Sequence, residues 1–287
     1  MTKASNPGAQ LRLALQTAQA EQRVLPFVGI YDLFSASLAA NHFEALFLSG
    51  FGLAASAYGL PDIGFIGWGD LTSTTSRLRA LLPNHHLLVD IDDGFGDPAI
   101  AGHVVRSLER CGASGLVLED QARPRRCGHL DGKQLLPLSE YLNKLKIALQ
   151  ERSSLVIVAR TDASDPVEIL TRVQAFEQAG CDAVLADGIK DLELIHQICN
   201  AVACPVFTNV IAGGKVPPCS RADLAGRGVQ GLIYSTPCLF AAQVAIEQAL
   251  DDLGDAAADL SSALASARQL SHCNAILQAN LKRAGEG

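Results

Sequence analysis

The chain lacks the features that would place it in a membrane, on nucleic acid or outside the cell. No run approaches the ~18 uncharged apolar residues of a membrane span. Basic charge is not in excess: Lys plus Arg is 23 against 30 Asp plus Glu, a net charge of -7. The basic stripe of a nucleic-acid surface is therefore missing. Met1–Gln10 has no apolar core of a signal peptide, so a cytoplasmic protein is expected. The eight cysteines are scattered, without a CxxC pair or a Cys/His zinc spacing. In a reducing compartment most of them should be small buried hydrophobes. No GxGxxG follows the first apolar run, which argues against a dinucleotide-binding open sheet. No lysine stands at an expected strand end, which argues against a Schiff-base aldolase.

What is present is a repeated unit. Hydrophobic residues make up 48% of the 287 and charged residues 18%, an ordinary globular balance. Eight β-rich apolar runs recur: Val24–Gly29, Ala45–Ser49, His86–Ile91, Gly115–Glu119, Leu155–Arg160, Ala183–Asp187, Pro205–Asn209 and Gly231–Ser235. They are continuous rather than alternating, as parallel strands buried on both faces should be. Helical stretches lie between them, among them Pro98–Cys111, Ser139–Gln150, Pro166–Ala179 and Asp191–Val202. Asp165 can cap the third of these while Pro166 takes its first position. Gly112 and Gly180 are placed to end helices. Eight βα units without a linker predict one (β/α)8 TIM-type barrel domain over residues 1–287. The Ala- and Leu-rich stretch 237–283 exceeds what closes a barrel and is expected to be a C-terminal helical arm used in oligomer packing. Only Met1–Gly8 and Arg283–Gly287 look loose.

In such a barrel the site lies at the C-terminal ends of the strands. Those ends read Ser49-Gly50, Asp90-Ile91-Asp92-Asp93, Glu119-Asp120, Arg160-Thr161-Asp162, Asp187, Thr208-Asn209 and Tyr234-Ser235. So much acid on one mouth would repel itself, and a hard divalent ion such as Mg2+ is the natural partner. Asp90 and Asp92 alternate, so both can face one cavity, with Glu119 on the adjacent strand. Asp93, Asp120 and Asp162 read equally well as caps of the following helices. Arg160 could hold a substrate carboxylate in a bidentate fork. After the fourth strand comes "EDQARPRRCGHLDGK", where Cys127 lies among Arg123, Arg125, Arg126, His129 and Lys133. Neighbouring cations favour a thiolate, although a structural cysteine fits the same loop.

These residues have a family look. "SGFGLAASAYGLPDIG", "LLVDIDDGFGDP", "LEDQARPRRCGHLDGK" and "VARTDA" resemble the isocitrate lyase/phosphoenolpyruvate mutase superfamily. Within it they are closest to the short 2-methylisocitrate lyase and 2,3-dimethylmalate lyase type. The resemblance spans about Leu25 to Leu253. It implies a Mg2+-dependent carbon–carbon lyase, with Mn2+ as a substitute, cleaving a 2-hydroxy di- or tricarboxylate to a 2-oxo acid such as pyruvate. It implies Asp62, Asp90, Asp92 and Glu119 around the metal, with Asp92 as direct ligand. Phe47, Ser49, Gly50, Gly128, Arg160, Asp187 and Asn209 would bind substrate. Cys127 would be the catalytic acid/base, with Gly128 and His129 in its loop that closes over the site, and Arg160, at the end of the fifth strand, would complete the catalytic set. The partners implied are a small carboxylate substrate and three further copies of the chain, as a homotetramer built as a dimer of dimers.

The chain also departs from the pattern. Asp93 stands where the lyases usually have Thr, Asp187 where 2-methylisocitrate lyases have Glu, and Phe240 where an Arg is common. "NVIAGGKVPP", Asn209–Pro218, lacks the usual acidic and aromatic residues. These positions line the larger product half, so a dicarboxylate or a more apolar group fits better than the tricarboxylate. A phosphonate-forming mutase of the carboxyphosphonoenolpyruvate type and an oxaloacetate decarboxylase use the same barrel and stay open as alternatives.

Overall fold

The computed structural model describes residues 6–126, 128, 132–254 and 270–285. Eight parallel strands close into a barrel in sequence order. They are β1 (Leu25–Ile30), β2 (Ala45–Leu48), β3 (His86–Asp90), β4 (Gly115–Glu119), β5 (Val156–Thr161), β6 (Ala183–Ala186), β7 (Val206–Val210) and β8 (Gly231–Tyr234). Each matches an expected run to within about a residue at either end. The helices are α1 (Pro7–Ala20), α2 (Leu33–Ala39), α3 (Gly50–Tyr58), α4 (Trp68–Leu81), α5 (Pro98–Arg110), α6 (Leu138–Glu151), α7 (Pro166–Gln178), α8 (Leu192–Ala201), α9 (Arg221–Gly226), α10 (Pro237–Gly254) and α11 (Leu270–Gly285). Asp165 caps α7 as expected, accepting from the Glu168 N–H with Pro166 at the first helical position. Gly112 and Gly180 take positive φ after α5 and α7.

Three expectations are corrected. Residues 7 and 8 are not loose: Asn6 caps α1 by accepting from the N–H groups of Gly8 and Ala9. The chain end is not loose from residue 283, since α11 runs to Gly285. Of the seven described cysteines only Cys181 is buried; the other six are partly exposed.

Side-chain parity divides the apolar residues into two cores. Leu25, Phe27, Ala45, Phe47, Leu88, Val117, Val156, Val158, Ala183, Leu185, Phe207 and Ile233 form one cluster with Leu11, Leu15 and Ala18 of α1. Every strand contributes, at alternate positions where there are two, so this is the barrel interior. Helix α1 plugs its lower end, burying Leu11 and Leu15 to 0% and 2% exposure, each worth about 1.5–3 kcal/mol. The intervening strand residues, such as Val28, Leu46, Val89, Leu116, Ile157 and Val184, pack outward against the helices. Continuing the inward parity past each apolar layer names the residues that meet at the top: Ser49, Asp90, Glu119, Arg160, Asp187, Asn209 and Ser235.

Candidate active site

All seven inward residues except Ser235 are buried. Phe47, Ser49, Asp62, Asp90, Gly128, Arg160, Asp187 and Asn209, eight residues singled out in the sequence, line one cavity of about 30 Å3. Ser49 caps α3, its hydroxyl accepting from the Gly52 N–H at 3.1 Å. Asp92 follows in the left-handed region at φ 52, a conformation that a short polar side chain tolerates and that constrained sites retain.

Parity also settles the acids that read as caps. Asp93 and Asp120 point away from the cavity, and each has an arginine of its own. Arg123 donates to Asp93 through Nε at 2.8 Å and Nη2 at 2.9 Å. Arg172 of α7 donates from Nη1 to Asp120 Oδ2 at 3.1 Å, and the Asp162 N–H donates to Asp120 Oδ1 at 3.0 Å. Asp162 turns inward and takes the Arg160 fork, Nε to Oδ2 and Nη2 to Oδ1, both at 3.0 Å. None of the three caps a helix; Asp32, Asp97, Asp165 and Asp191 do. The Arg160 fork, expected to face substrate, is thus turned onto Asp162. Its Nη2 also lies 2.7 Å from Asp187 Oδ2 and 3.4 Å from Glu119 Oε2. Asn209 Nδ2 donates to Asp187 Oδ1 at 3.0 Å, and the Ser235 hydroxyl donates to Asn209 Oδ1.

The metal-side acids surround a residue that the sequence showed only as one more loop cation. Arg125 is 3% exposed. It donates from Nη1 to Asp62 Oδ1 at 2.6 Å and from Nε to Glu119 Oε1 at 2.9 Å. Its Nη2 stands 3.0 Å from Asp92 Oδ1. Gln121 holds it there by clamping the next peptide: its side chain donates to the Arg126 carbonyl at 2.7 Å and accepts from the Arg126 N–H at 2.9 Å. Gly128 lies over the other cluster, where a Cβ would come within 2.1 Å of Asp187 Oδ2 and 2.3 Å of Arg160 Nη2. Lys133 donates to the Gly128 carbonyl and, at 3.1 Å, to Asp162 Oδ1. Cys127 and His129 lie outside the described residues.

Burial is what strains this cluster. It pushes the pKa of Asp90 and of Asp92 up, against the pull of Arg160 and Arg125 on the first and of Arg125 on the second. Burial likewise pushes Glu119 up to about 8. Two oxygens, Asp92 Oδ1 and Glu119 Oε2, are buried without a hydrogen bond; their arginine neighbours are near but poorly aligned. Asp90 Oδ2 and Asp92 Oδ1 both lie 3.3 Å from the point where a Gly50 Cβ would stand. Hard oxygen donors, orphaned and converging beside a missing side chain, fit a divalent ion such as Mg2+.

Comparison with known proteins accords with this arrangement. The family model described as phosphoenolpyruvate phosphomutase matches residues 15–253. The chain belongs to this family. It is 34% identical over 231 residues to the 2-methylisocitrate lyase of Bacillus subtilis (strain 168), covering 78% of this chain and 75% of that one. It is 30% identical over 257 residues to a chloroplastic carboxyvinyl-carboxyphosphonate phosphorylmutase of Arabidopsis thaliana, covering 86% and 76%. The crystal structure of a 2,3-dimethylmalate lyase superposes with a TM-score of 0.88 at 27% identity, covering 98% of this chain and 95% of that one. In this chain the acids on the inner parity are the candidate machinery, while Asp93 and Asp120 on the outer parity pair with Arg123 and Arg172.

Proposed function

We propose that this family member is a Mg2+-dependent carbon–carbon lyase, with Mn2+ as a working substitute, acting on a small substituted 2-hydroxy dicarboxylate. The observation that carries the reading is the inward ring of Asp90, Asp92 and Glu119, with two orphaned oxygens, beside the cavity that Arg160 enters. Asp62, Asp90, Asp92 and Glu119 would hold the ion. When bound, it lowers the pKa of the substrate hydroxyl and orients the bond to be broken.

The chain's own residues supply the rest. Ser49 and Gly50 cradle the carboxylate of the 2-oxo half over Phe47. Arg160, with Asn209 and Asp187, holds the other half. A base takes the hydroxyl proton, the carbinol oxygen becomes a carbonyl, and the carbon–carbon bond breaks. Its electron pair passes to the carbon next to the second carboxylate, as an enediolate. Cys127, on sequence grounds, returns a proton to that carbon. Gly128 lies close over Asp187 and Arg160, with no room there for a Cβ, and its backbone would help to exclude water from the bound substrate.

A small, partly apolar leaving half is supported by the cavity wall. Arg160 is the one guanidinium among its described lining residues, and Asp162 and Asp187 already match it. Phe51, Val117, Leu185, Ile211 and Ile233 form most of the remaining wall, with the hydroxyls of Ser235 and Thr236. Phe240 packs edge-on against Phe51 at 6.2 Å. Among the described lining residues that leaves no cation beyond Arg160 for the further carboxylate of a tricarboxylate.

A homotetramer is part of the proposal. Helix α10 has no buried residue, and Val244, Ile246 and Leu250 are 66%, 58% and 62% exposed. Such exposed apolar side chains on one helix support a packing partner for it. Among the described residues no helix is long and apolar enough to cross a membrane.

The test is a panel of 2-substituted malates and citrates, phosphonopyruvate and oxaloacetate, with released pyruvate or glyoxylate followed through a coupled dehydrogenase. Alkyl-substituted malates should turn over best, and EDTA should abolish the signal until Mg2+ is returned. Conversion of phosphonopyruvate to phosphoenolpyruvate, read by phosphorus resonance, would favour mutase chemistry, and full activity after exhaustive chelation would remove the metal from the account.

A further inference from the structure

Among the described residues, no three carboxylate, imidazole or thiol groups are arranged as a ready-made metal centre, although four carboxylates share one buried mouth. The reason is what already stands among them. Arg125 reaches Asp62 at 2.6 Å, Glu119 at 2.9 Å and Asp92 at 3.0 Å, each through a different nitrogen. All four side chains are at most 9% exposed. With the guanidinium between them, Asp62, Asp92 and Glu119 are not drawn together on an ion whose oxygen ligands sit at about 2.0–2.1 Å.

We propose that Arg125 is the resident counter-ion of this ring and sets its affinity for the divalent ion, the guanidinium and the ion competing for Asp62, Asp92 and Glu119. The proposal rests on the reading that the ring binds such an ion. Its physical basis is charge and geometry. The guanidinium stays charged at any working pH, so it yields the ring only by moving. Buried like charges a few ångströms apart repel strongly, so a dication and an undisplaced Arg125 cannot both be held well. Without the ion, Arg125 relieves the repulsion between the carboxylates. With the ion it becomes surplus, and the Gln121 clamp on the Arg126 peptide must give when Arg125 leaves. Arg125 is therefore a positioning residue, acting through the carboxylates. Nothing in its sequence context distinguishes it from Arg123 or Arg126; the three contacts do.

The experiment is Mn2+ binding without substrate, read from the free-ion paramagnetic resonance signal, on the wild type, Arg125→Met and Arg125→Lys. Arg125→Met should bind Mn2+ at least tenfold more tightly than the wild type, with Arg125→Lys between them. Saturating Mn2+ should also raise the melting temperature of Arg125→Met by more than that of the wild type. Equal dissociation constants in wild type and variants, or weaker binding by the variants, would overturn the competition while leaving the metal reading standing. No binding by any of the three at millimolar Mn2+ would remove the metal reading and the proposal with it. If Arg125→Met does not fold, Arg125→Lys decides, since a shorter point charge should still bind Mn2+ at least threefold more tightly.

Discussion

Asp92 and Asp93 are neighbours in the chain, both carboxylates, both at most 2% exposed, yet they have opposite surroundings. Asp93 points outward and receives two well-formed bonds from Arg123. Asp92 points inward at a strained φ of 52, with an orphaned oxygen and three other carboxylates beside it. Glu119 and Asp120 repeat the contrast one strand on: Asp120 has Arg172, while Glu119 shares Arg125 with two other acids. A paired outward acid serves the scaffold. An inward acid kept short of partners retains the capacity to bind something else.

Substitutions should separate the two sets. The largest effect is expected at the proposed proton donor: Cys127→Ser should lower kcat by roughly 10^2–10^4, the range for one lost general acid, with KM little changed. Wild-type kcat in this variant would return Cys127 to the structural cysteines. Next comes Asp120→Ala, which takes from Arg172 one of its two carboxylates, Glu168 being the other, and from the Asp162 N–H its acceptor. Leaving such buried donors short of a partner costs about 1–3 kcal/mol, so chemical denaturation should show a loss of that order, with kcat of the folded fraction within a few-fold of wild type. A loss of activity without loss of stability would place Asp120 in the inward class.

The pH dependence is a subtler discriminator. Burial raises the Glu119 pKa from the ordinary 4.5 to about 8. The folded state then holds this proton more tightly than the unfolded chain. Its stabilising contribution is complete below 4.5 and is lost as pH climbs towards 8. The melting temperature of the metal-free protein should therefore fall between about pH 5 and pH 8, and Mg2+ should restore more of it at pH 8 than at pH 5. A metal effect independent of pH would contradict the assignment of Glu119 to the ring. The smallest effect is expected at Gly128→Ala: a Cβ there meets Asp187 and Arg160, so kcat/KM should drop about tenfold with little change in melting temperature.

Most of the barrel was legible because strands buried on both faces are written as continuous apolar runs, and their ends name the mouth of the site. Helix α1 was not read, because its plug residues Leu11, Leu15 and Ala18 sit in a mildly amphipathic stretch near a chain end. Inward parity was applied to Asp90 and Asp92 but not along every strand. Extended from Val117 and Val158, it would have sorted Glu119 from Asp120 and turned Asp162 inward. Arg125 could not be chosen from three arginines within four residues, because its partners are 63 positions away at Asp62, in the turn after β3 at Asp92 and at the end of β4 at Glu119. That choice is made by the closed barrel alone.

The central claim is that the inward acids, and not their outward neighbours, bind the divalent ion. Mn2+ binding to Asp92→Asn and Asp93→Asn, measured side by side on folded protein, tests it across a single peptide bond. The account predicts one site in Asp93→Asn at near wild-type affinity and none in Asp92→Asn. Equal binding by the two variants, or loss confined to Asp93→Asn, would contradict it.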